Sequence, residues 1–445
     1  MTVDEEGAVD AAQRAVAFAR QAGADAAEAT VSIARRFHAE ARESALSKLE
    51  QSTGKALRVR VFAGSRKATL STTDFTPEGV RDAIAQAVAA ARLVADDEFA
   101  GLPERFVEDL PALDLYDPHV DRRPGDEKVA DALALERLIR ESDARISNSS
   151  GSHFNDASVI TAIANSAGFA GAYASTRAGR STGPIALDGE IRRTAHYGTA
   201  ARRFAELEGL REVAACAARR TTELFGARKP PTMRCAVIFE RDVAATILED
   251  VFGALSASNV ATGNSWLIDR VGSRIGSDAV TIVDDGRMPG KLGSSPFDGE
   301  GLPTRRTPVF ERGVLKTFLY DTYYARKLGA HSTANSNGSG IGTNNFYLEA
   351  GKDSLEALIA STQRGVLVLD TIGFATEHAS GTYSRGARGF LIENGERTYP
   401  VDEFTIAGSY AEMLAGIDGV ASDLRFDAPV VSPSFRVTEM TVSGN

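Results

Sequence analysis

From residue 260 onward the chain is written almost entirely in short β-forming runs: "AVTIVDDG", "TPVFERGVLKTFLYD", "GTNNFYLEAG", "RGVLVLDTIG", "RGFLIENGERTYPVDEFTIAG" and "SFRVTEMTVSG". Turn dipeptides punctuate them at Asp285-Gly286, Arg312-Gly313, Asn394-Gly395 and Ser443-Gly444. Glycine supplies the positive φ that tight hairpin turns require, and Asn-Gly fits a type I′ turn. This pattern restricts the second half to a large, mostly antiparallel β domain with few helices.

The first half mixes periods. Residues 8–23 space Ala, Val and Phe as on a helix and end on Gly23, a C-cap residue. "AEATVSIARR" and "RFHAEARES" alternate like two strands, and "ALRVRVFAGSRKATLSTTD" reads as a hairpin about Ala63-Gly64-Ser65. A helix follows, with Thr76 as N-cap, Pro77 at its first position and Glu78 close behind. "LPERFVEDLPALDLYDPHVDRRPGD" carries four prolines and reads as an extended linker, with helices expected at 126–141 and 207–225. Between those helices lie short strands rich in Ser, Thr, Ala and Gly, a composition suited to close packing. The expected class is α+β. The expected units are an N-terminal α+β domain at 1–110, a middle helix and Ser/Gly-rich strand region at 111–225, and a β-rich domain at 226–445.

Composition excludes several classes of function. A formal charge of −10 argues against a nucleic-acid binder, which needs a basic footprint. No apolar run approaches the ~20 residues of a membrane span, and the N-terminus lacks the pattern of a secretory signal, so a cytoplasmic protein is expected. The two cysteines, Cys216 and Cys235, fit neither a CxxC zinc site nor a disulfide framework.

Common catalytic motifs are missing: HExxH, GxSxG, a Walker loop and a dinucleotide fingerprint after a strand. The six histidines (38, 119, 153, 196, 331 and 378) are isolated in sequence, and none has a second donor at i+4 on a convincing helix. "SPFDGEG" at 295–301 is turn chemistry that either shapes a cleft or salt-bridges to Arg305 and Arg306. Gly381, Gly386 and Gly389 surround Tyr383, Ser384 and Arg385. Bare backbone there permits an extended peptide or a partner to approach as an added strand, or else serves a bulged turn. "RCAVIFERDVAATILEDVFGALSAS" runs from a buried strand into an amphipathic helix. Its first turn offers Glu240, Arg241 and Asp242, with Val243, Ile247, Val251 and Leu255 on one apolar stripe.

Taken in order, "RVRVFAGSRKATLSTTDFTPEGVRDAIAQAVAAAR", "VTIVDDG", "PFDGEGLPTRRTPVFERGVLKTFLYD", "IASTQRGVLVLDTIG", "GTYSRGARGFLIENGERTYPVDEFTIAG" and "PSFRVTEMTVSG" resemble the TldD/PmbA family, on its PmbA (TldE) branch. The resemblance implies an N-terminal α+β domain, a β-rich C-terminal domain, and a cytoplasmic TldD–TldE heterodimer that cleaves peptides or unfolded segments in an enclosed cavity. It also brings the description "modulator of DNA gyrase", through proteolysis rather than DNA contact. In TldD a zinc motif, HExxxH, lies on the helix after a strand, with a cysteine near the C-terminus as third ligand. Laid on that motif, this chain has Glu240, Arg241 and Ala245, and no cysteine follows Cys235. The resemblance therefore implies no zinc in this chain and zinc in a TldD-like partner.

Three functions follow as expectations. The first is a non-catalytic subunit paired with a TldD-like chain. The second is a stand-alone homodimeric scaffold that binds peptide, and the third a hydrolase using His331 or His378. None of the three calls for nucleic acid or a membrane.

Overall fold

The computed structural model describes residues 4–104, 110–373 and 377–444. Helix α1 (Glu5–Gln21) starts at Asp4, whose carboxylate accepts the Gly7 amide, and buries a face of Ala8, Ala12, Ala15, Val16 and Ala19. Strand β1 (Ala26–Arg42) runs unbroken through the stretch expected to hold two strands. It turns at Glu43-Ser44 into β2 (Ala45–Ala63) and pairs with it from Ala26↔Phe62 to Arg42↔Ala45. One long strand keeps its odd-numbered residues on one face throughout, although Arg35 and Arg36 are both exposed midway. Ala27, Ala29 and Val31 pack under the first helices, and Phe37, Ala39 and Ala41 under a later one. Even-numbered Arg36, His38 and Glu40 therefore emerge on the opposite face.

The expected hairpin forms between β2 and β3 (Arg66–Thr72), and α2 (Pro77–Ala91) begins at Thr76, whose hydroxyl accepts the Gly79 amide. The expected linker holds a short helix, α3 (Pro118–Arg122), before α4 (Gly125–Ser142). Strands β4 (Ile146–Asn165), β5 (Ala170–Asp188), β6 (Ile191–Thr194) and β7 (Tyr197–Ala201) follow, then α5 (Leu210–Thr222). These strands join the first three in one sheet of order β3-β2-β1-β4-β5-β6, with β7 on β5. The expected division at 110/111 thus falls between strands that share a sheet, because β1 takes β2 on one edge and β4 on the other.

The second half contains β8 (Met233–Phe239), α6 (Arg241–Leu255), α7 (Ala257–Ala261), β9 (Ile282–Asp285), β10 (Arg306–Glu311), β11 (Val314–Leu315), α8 (Thr322–Lys327) and β12 (Asn345–Leu348). It continues with α9 (Leu355–Ala360), β13 (Arg364–Ile372), β14 (Thr382–Glu393), β15 (Glu396–Ser409), α10 (Tyr410–Gly416), β16 (Ile417–Val420), β17 (Val430–Val431) and β18 (Phe435–Ser443). Two sheets result, ordered β11-β10-β9-β12-β17 and β15-β14-β13-β8-β18-β16. Pairing is antiparallel as expected except for β8 with β13 and β12 with β17, which run parallel. The predicted stripe of α6 lies in the core here: Val243, Ile247, Val251 and Leu255 pack with Phe239, Phe310, Phe346 and Phe404. Burying each such side chain contributes about 1.5–3 kcal/mol. Among the described residues no helix is long and apolar enough to cross a membrane.

The β1–β2 turn uses two non-glycine residues at positive φ, Glu43 at 54° and Ser44 at 65°. A left-handed conformation costs such residues about 1–2 kcal/mol each. Replacing the pair (Glu43→Asn with Ser44→Gly) should therefore raise the unfolding free energy by at least ~1 kcal/mol, read as a higher midpoint in urea. An unchanged or lower midpoint would show that the Glu43 carboxylate, which accepts from Asn148 Nδ2 at 3.4 Å, outweighs the strain.

Candidate functional site

A cavity of about 950 Å³ lies between the first sheet and α6. Its sheet side includes Arg36 and His38 of β1, Asn155 of β4 and Arg177 of β5, and small residues such as Gly179 and Gly198 leave it open. Its opposite side is the first two turns of α6, with Arg241, Asp242, Ala245, Thr246 and Glu249, and the segment 425–432. Space of this size takes a few residues of extended chain or a ligand of comparable bulk.

The helix start that would carry a hydrolytic ion is occupied by an ion-pair network. Glu240 is the N-cap of α6 and is buried; its carboxylate accepts the Asp242 amide at 3.0 Å. Arg220 from α5 reaches Glu240 at 2.9 Å and Asp242 at 2.6 Å. Burial alone would lower the Arg220 guanidinium, but those two carboxylates raise it above its ordinary value. Arg241 donates its backbone amide to Ser434 Oγ at 3.0 Å and its guanidinium to the Tyr197 hydroxyl at 3.4 Å. Ala245 faces the cavity with a methyl group.

A catalytic zinc takes about three side-chain donors and keeps one position for water. Here one candidate donor is committed to an arginine, the next position is itself a cation, and the third has no donor atom. Cys235 sits in β8 in the core, its thiol pushed up to about 11 by burial. These residues do not fit zinc.

The glycine-rich segment 381–389 is built into the sheet. From Gly386 to Glu393, β14 is hydrogen-bonded on both edges, to β13 and β15, so no added strand can enter there. A Cβ on Gly389 would stand 1.7 Å from the Leu367 carbonyl oxygen of β13, and one on Gly386 would touch Ile372. Gly381, at φ +68°, lets Trp266 approach to where a Cβ would lie 2.7 Å from its ring. Tyr383 is buried in the core, edge-on to Phe239 and Tyr410, and burial raises its hydroxyl. Arg385 pairs with Asp250 of α6 at 2.6 Å, and the Tyr410 hydroxyl donates to the same carboxylate at 2.7 Å. Ser384 is exposed opposite Ala407. Among the described residues the bare backbone is thus approached by neighbouring parts of this chain, and none of the six lines the cavity.

The structure assembles a group that sequence spacing did not reveal: His38, Glu40 and His153. Half of it was signalled, since residues two apart on a strand share a face. The other half depended on β1 lying beside β4. Burial, with help from His38 and His196, lowers His153 below its usual value. His378 packs elsewhere, against Gly253 of α6.

Models of the PmbA/TldA metallopeptidases match three stretches of the chain: domain 1 at 27–91, the central domain at 118–225 and the C-terminal domain at 232–444. Metalloprotease PmbA of Escherichia coli O157:H7 is 32% identical over 402 residues, 90% of this chain and 88% of that protein. A PmbA homolog of Haemophilus influenzae is 31% identical over 403 residues, with the same two coverages. Among solved structures, a Bacteroides thetaiotaomicron protein described as a candidate modulator of DNA gyrase superposes with a TM-score of 0.93 at 26% identity, over the whole of both chains. TldE from Thermococcus kodakarensis superposes with a TM-score of 0.89 at 24% identity, covering 98% of this chain and all of that one, and so shares the fold.

If the glycines of β14 serve sheet packing, Gly389→Ala should destabilise the protein by about 3 kcal/mol or more, because the methyl group has no room beside Leu367. Thermal unfolding measures this, and a midpoint within a degree or two of wild type would show that the register shift between Ala387 and Gly389 can open to admit a side chain.

Proposed function

From the premise that the chain belongs to the PmbA/TldD metallopeptidase family, we propose that it is the non-catalytic, TldE-type subunit of a cytoplasmic zinc peptidase complex. Its TldD-like partner supplies the zinc and the cleavage. This chain supplies one wall of the chamber and contacts to a peptide or unfolded segment. The observation that carries the reading is α6: the helix start that faces the cavity is filled by the Arg220–Glu240–Asp242 network, Arg241 and Ala245. A cavity fit for peptide without a hydrolytic ligand set at that helix is consistent with chemistry delivered by another chain.

A surface for that chain is available. The outer edge of β2 from residue 45 to 56 is paired by β1 on one side only among the described residues, since β3 joins it from Leu57 onward. Leu46 and Leu49 on this stretch are 41% and 53% exposed. Unpaired backbone on a long edge strand is a template for a second chain.

Peptidase assays of the purified chain alone and mixed with its TldD-like partner test the reading, with molecular mass measured in parallel. The mixture should form a heterodimer and cleave peptides in a chelator-sensitive way, at least about a hundredfold faster than this chain alone, as expected when a metal's electrophilic stabilisation is gained. Equal chelator-sensitive cleavage by the lone chain would overturn the proposal. So would a homodimer that binds peptide and ignores the partner, which would instead support the scaffold reading.

A further inference from the structure

On β1, His38 and Glu40 are two residues apart and project from the sheet face away from α1, α2 and α4. Antiparallel pairing with β4 sets His153 directly opposite Glu40, and Asn155 directly opposite His38. One ring nitrogen of His38, one of His153 and one carboxylate oxygen of Glu40 lie within 4.8 Å of one another. The two imidazole rings are 5.5 Å apart at their centroids and tilted by 35°. We infer that His38, Glu40 and His153 form a binding site for a divalent transition-metal ion of zinc's class, on the sheet face beside the cavity that His38 lines and separate from the start of α6.

Donor chemistry comes first. Two imidazoles and one carboxylate are a donor set that zinc accepts with a fourth position left for water. The spacing is that of a site before closure. Donors at the corners of such a triangle stand at most about 2.8 Å from its centre, against about 2.0–2.2 Å for zinc–nitrogen and zinc–oxygen bonds, so movements under ~1 Å complete the shell.

The surrounding groups orient the donors as ligands. His38 shares its Nδ1 hydrogen with Asn155 Oδ1, which leaves the Nε2 lone pair directed toward Glu40, 4.0 Å away. A metal-bound histidine is usually held in this manner, its second nitrogen donating to an oxygen that fixes ring and tautomer. Glu40 Oε1 accepts the Ser47 hydroxyl at 3.0 Å, so the carboxylate is anchored by one oxygen and offers the other. Lys48, opposite Glu40 on β2, pairs with Glu50 at 3.0 Å and leaves Glu40 without a direct cationic partner among the described residues.

Two further features lie beside the donors. His153 Nδ1 is buried and has no hydrogen-bond partner among the described residues, an arrangement folded proteins avoid. Gly151, at φ +120°, lies beside the cluster: a Cβ there would stand 3.1 Å from His153 Nε2 and 3.1 Å from Glu40 Cγ. It sits where the β4–β5 register shifts between Ser149 and Ser152, so the strand bulges next to the donors. Bulges beside functional sites commonly re-aim a side chain. The inference does not rest on the proposed partner, since it concerns ion binding by this chain alone.

The full-length chain, stripped with chelator and desalted, should be titrated with Zn²⁺ and with Co²⁺, whose visible absorption reports coordination. One equivalent should bind, with a tetrahedral-type Co²⁺ band and a thermal midpoint that rises with added Zn²⁺. His38→Ala and His153→Ala should each weaken binding at least tenfold. His153→Asp, which keeps a donor, should retain more affinity than His153→Ala and guards against loss through misfolding. Asn155→Ala should weaken binding less than either alanine variant of the histidines. Glu240→Gln should leave binding unchanged. Failure of the wild-type chain to retain any ion, or equal binding by the wild type and both histidine variants, would overturn the inference. Binding lost in Glu240→Gln but kept in His38→Ala would place the ion on α6, overturning this inference together with the misfit to zinc argued there.

Discussion

Buried and half-buried arginines tie the first sheet to the C-terminal half, the two parts between which the cavity lies. Arg60 of β2 lies 3.8 Å from both Glu28 and Glu300, and donates to the Gly338 carbonyl at 2.6 Å. Arg202, just after β7, donates to the carbonyls of Lys291, Leu292 and Ser294 at 3.3, 2.7 and 3.3 Å. Arg425 reaches back to the Tyr197 hydroxyl, to Glu208 and to the Gly198 carbonyl, and Arg193 pairs with Asp402. A guanidinium suits this task because it keeps its charge and presents five donors in a fixed fork. Each hydrogen bond to a charged group is worth about 1.5–3 kcal/mol net. Stranding one such buried ion costs roughly 3–5 kcal/mol. The two parts are therefore joined by polar ties as well as by packing, and one of them, Arg425 with Tyr197 and Gly198, lines the cavity itself.

These ties also explain one loop that turn chemistry marked out in the sequence and a second, glycine-rich one. "SPFDGEG" and "GSGIGT" are the C-terminal partners of Arg60: Glu300 meets its charge, and Gly338 offers its carbonyl. A Cβ on Gly338 would stand 2.1 Å from the Arg58 guanidinium, so the glycine is there for close approach of an arginine. Glu28 and Asp298 are fully enclosed at the same junction, and burial pushes Glu28 up to about 7. An acid whose folded value is raised favours the folded state below its ordinary value, and that contribution is lost as pH rises towards about 7. The junction thus contributes less at neutral pH than its number of charges suggests.

How much could be read beforehand depended on how local the determinant was. Thr76-Pro77, the Ala63-Gly64 hairpin, Asn394-Gly395 and the α6 stripe are decided by neighbours within a few residues, and each stands where the sequence pattern puts it. The class, helices on a sheet followed by a β-rich half, followed from period alone. Continuity of β1 through 26–42 did not, because Arg35-Arg36 puts two exposed charges side by side within the alternation. Nor did the joining of β1 to β4, which are more than a hundred residues apart and share no local signal. The same long-range pairing hid His153 from His38 and Glu40. For 381–389 the glycines were visible but not what approaches them, which the structure shows to be β13 and Trp266.

The two walls of the cavity differ for a reason rooted in their elements. On α6 an ion would have to be held by residues of the first turn, where backbone amides point outward and a carboxylate is consumed as N-cap; Glu240 does that work and is then neutralised by Arg220. Arg241 in that turn and Arg220 reaching in from α5 both oppose a cation there. On the sheet, alternate residues of β1 and their partners on β4 project in parallel from a backbone hydrogen-bonded on both sides, so donors there stay in register without capping duties. The helix start is filled by its own ion pairs, while the sheet face presents two imidazoles and a carboxylate beside the cavity.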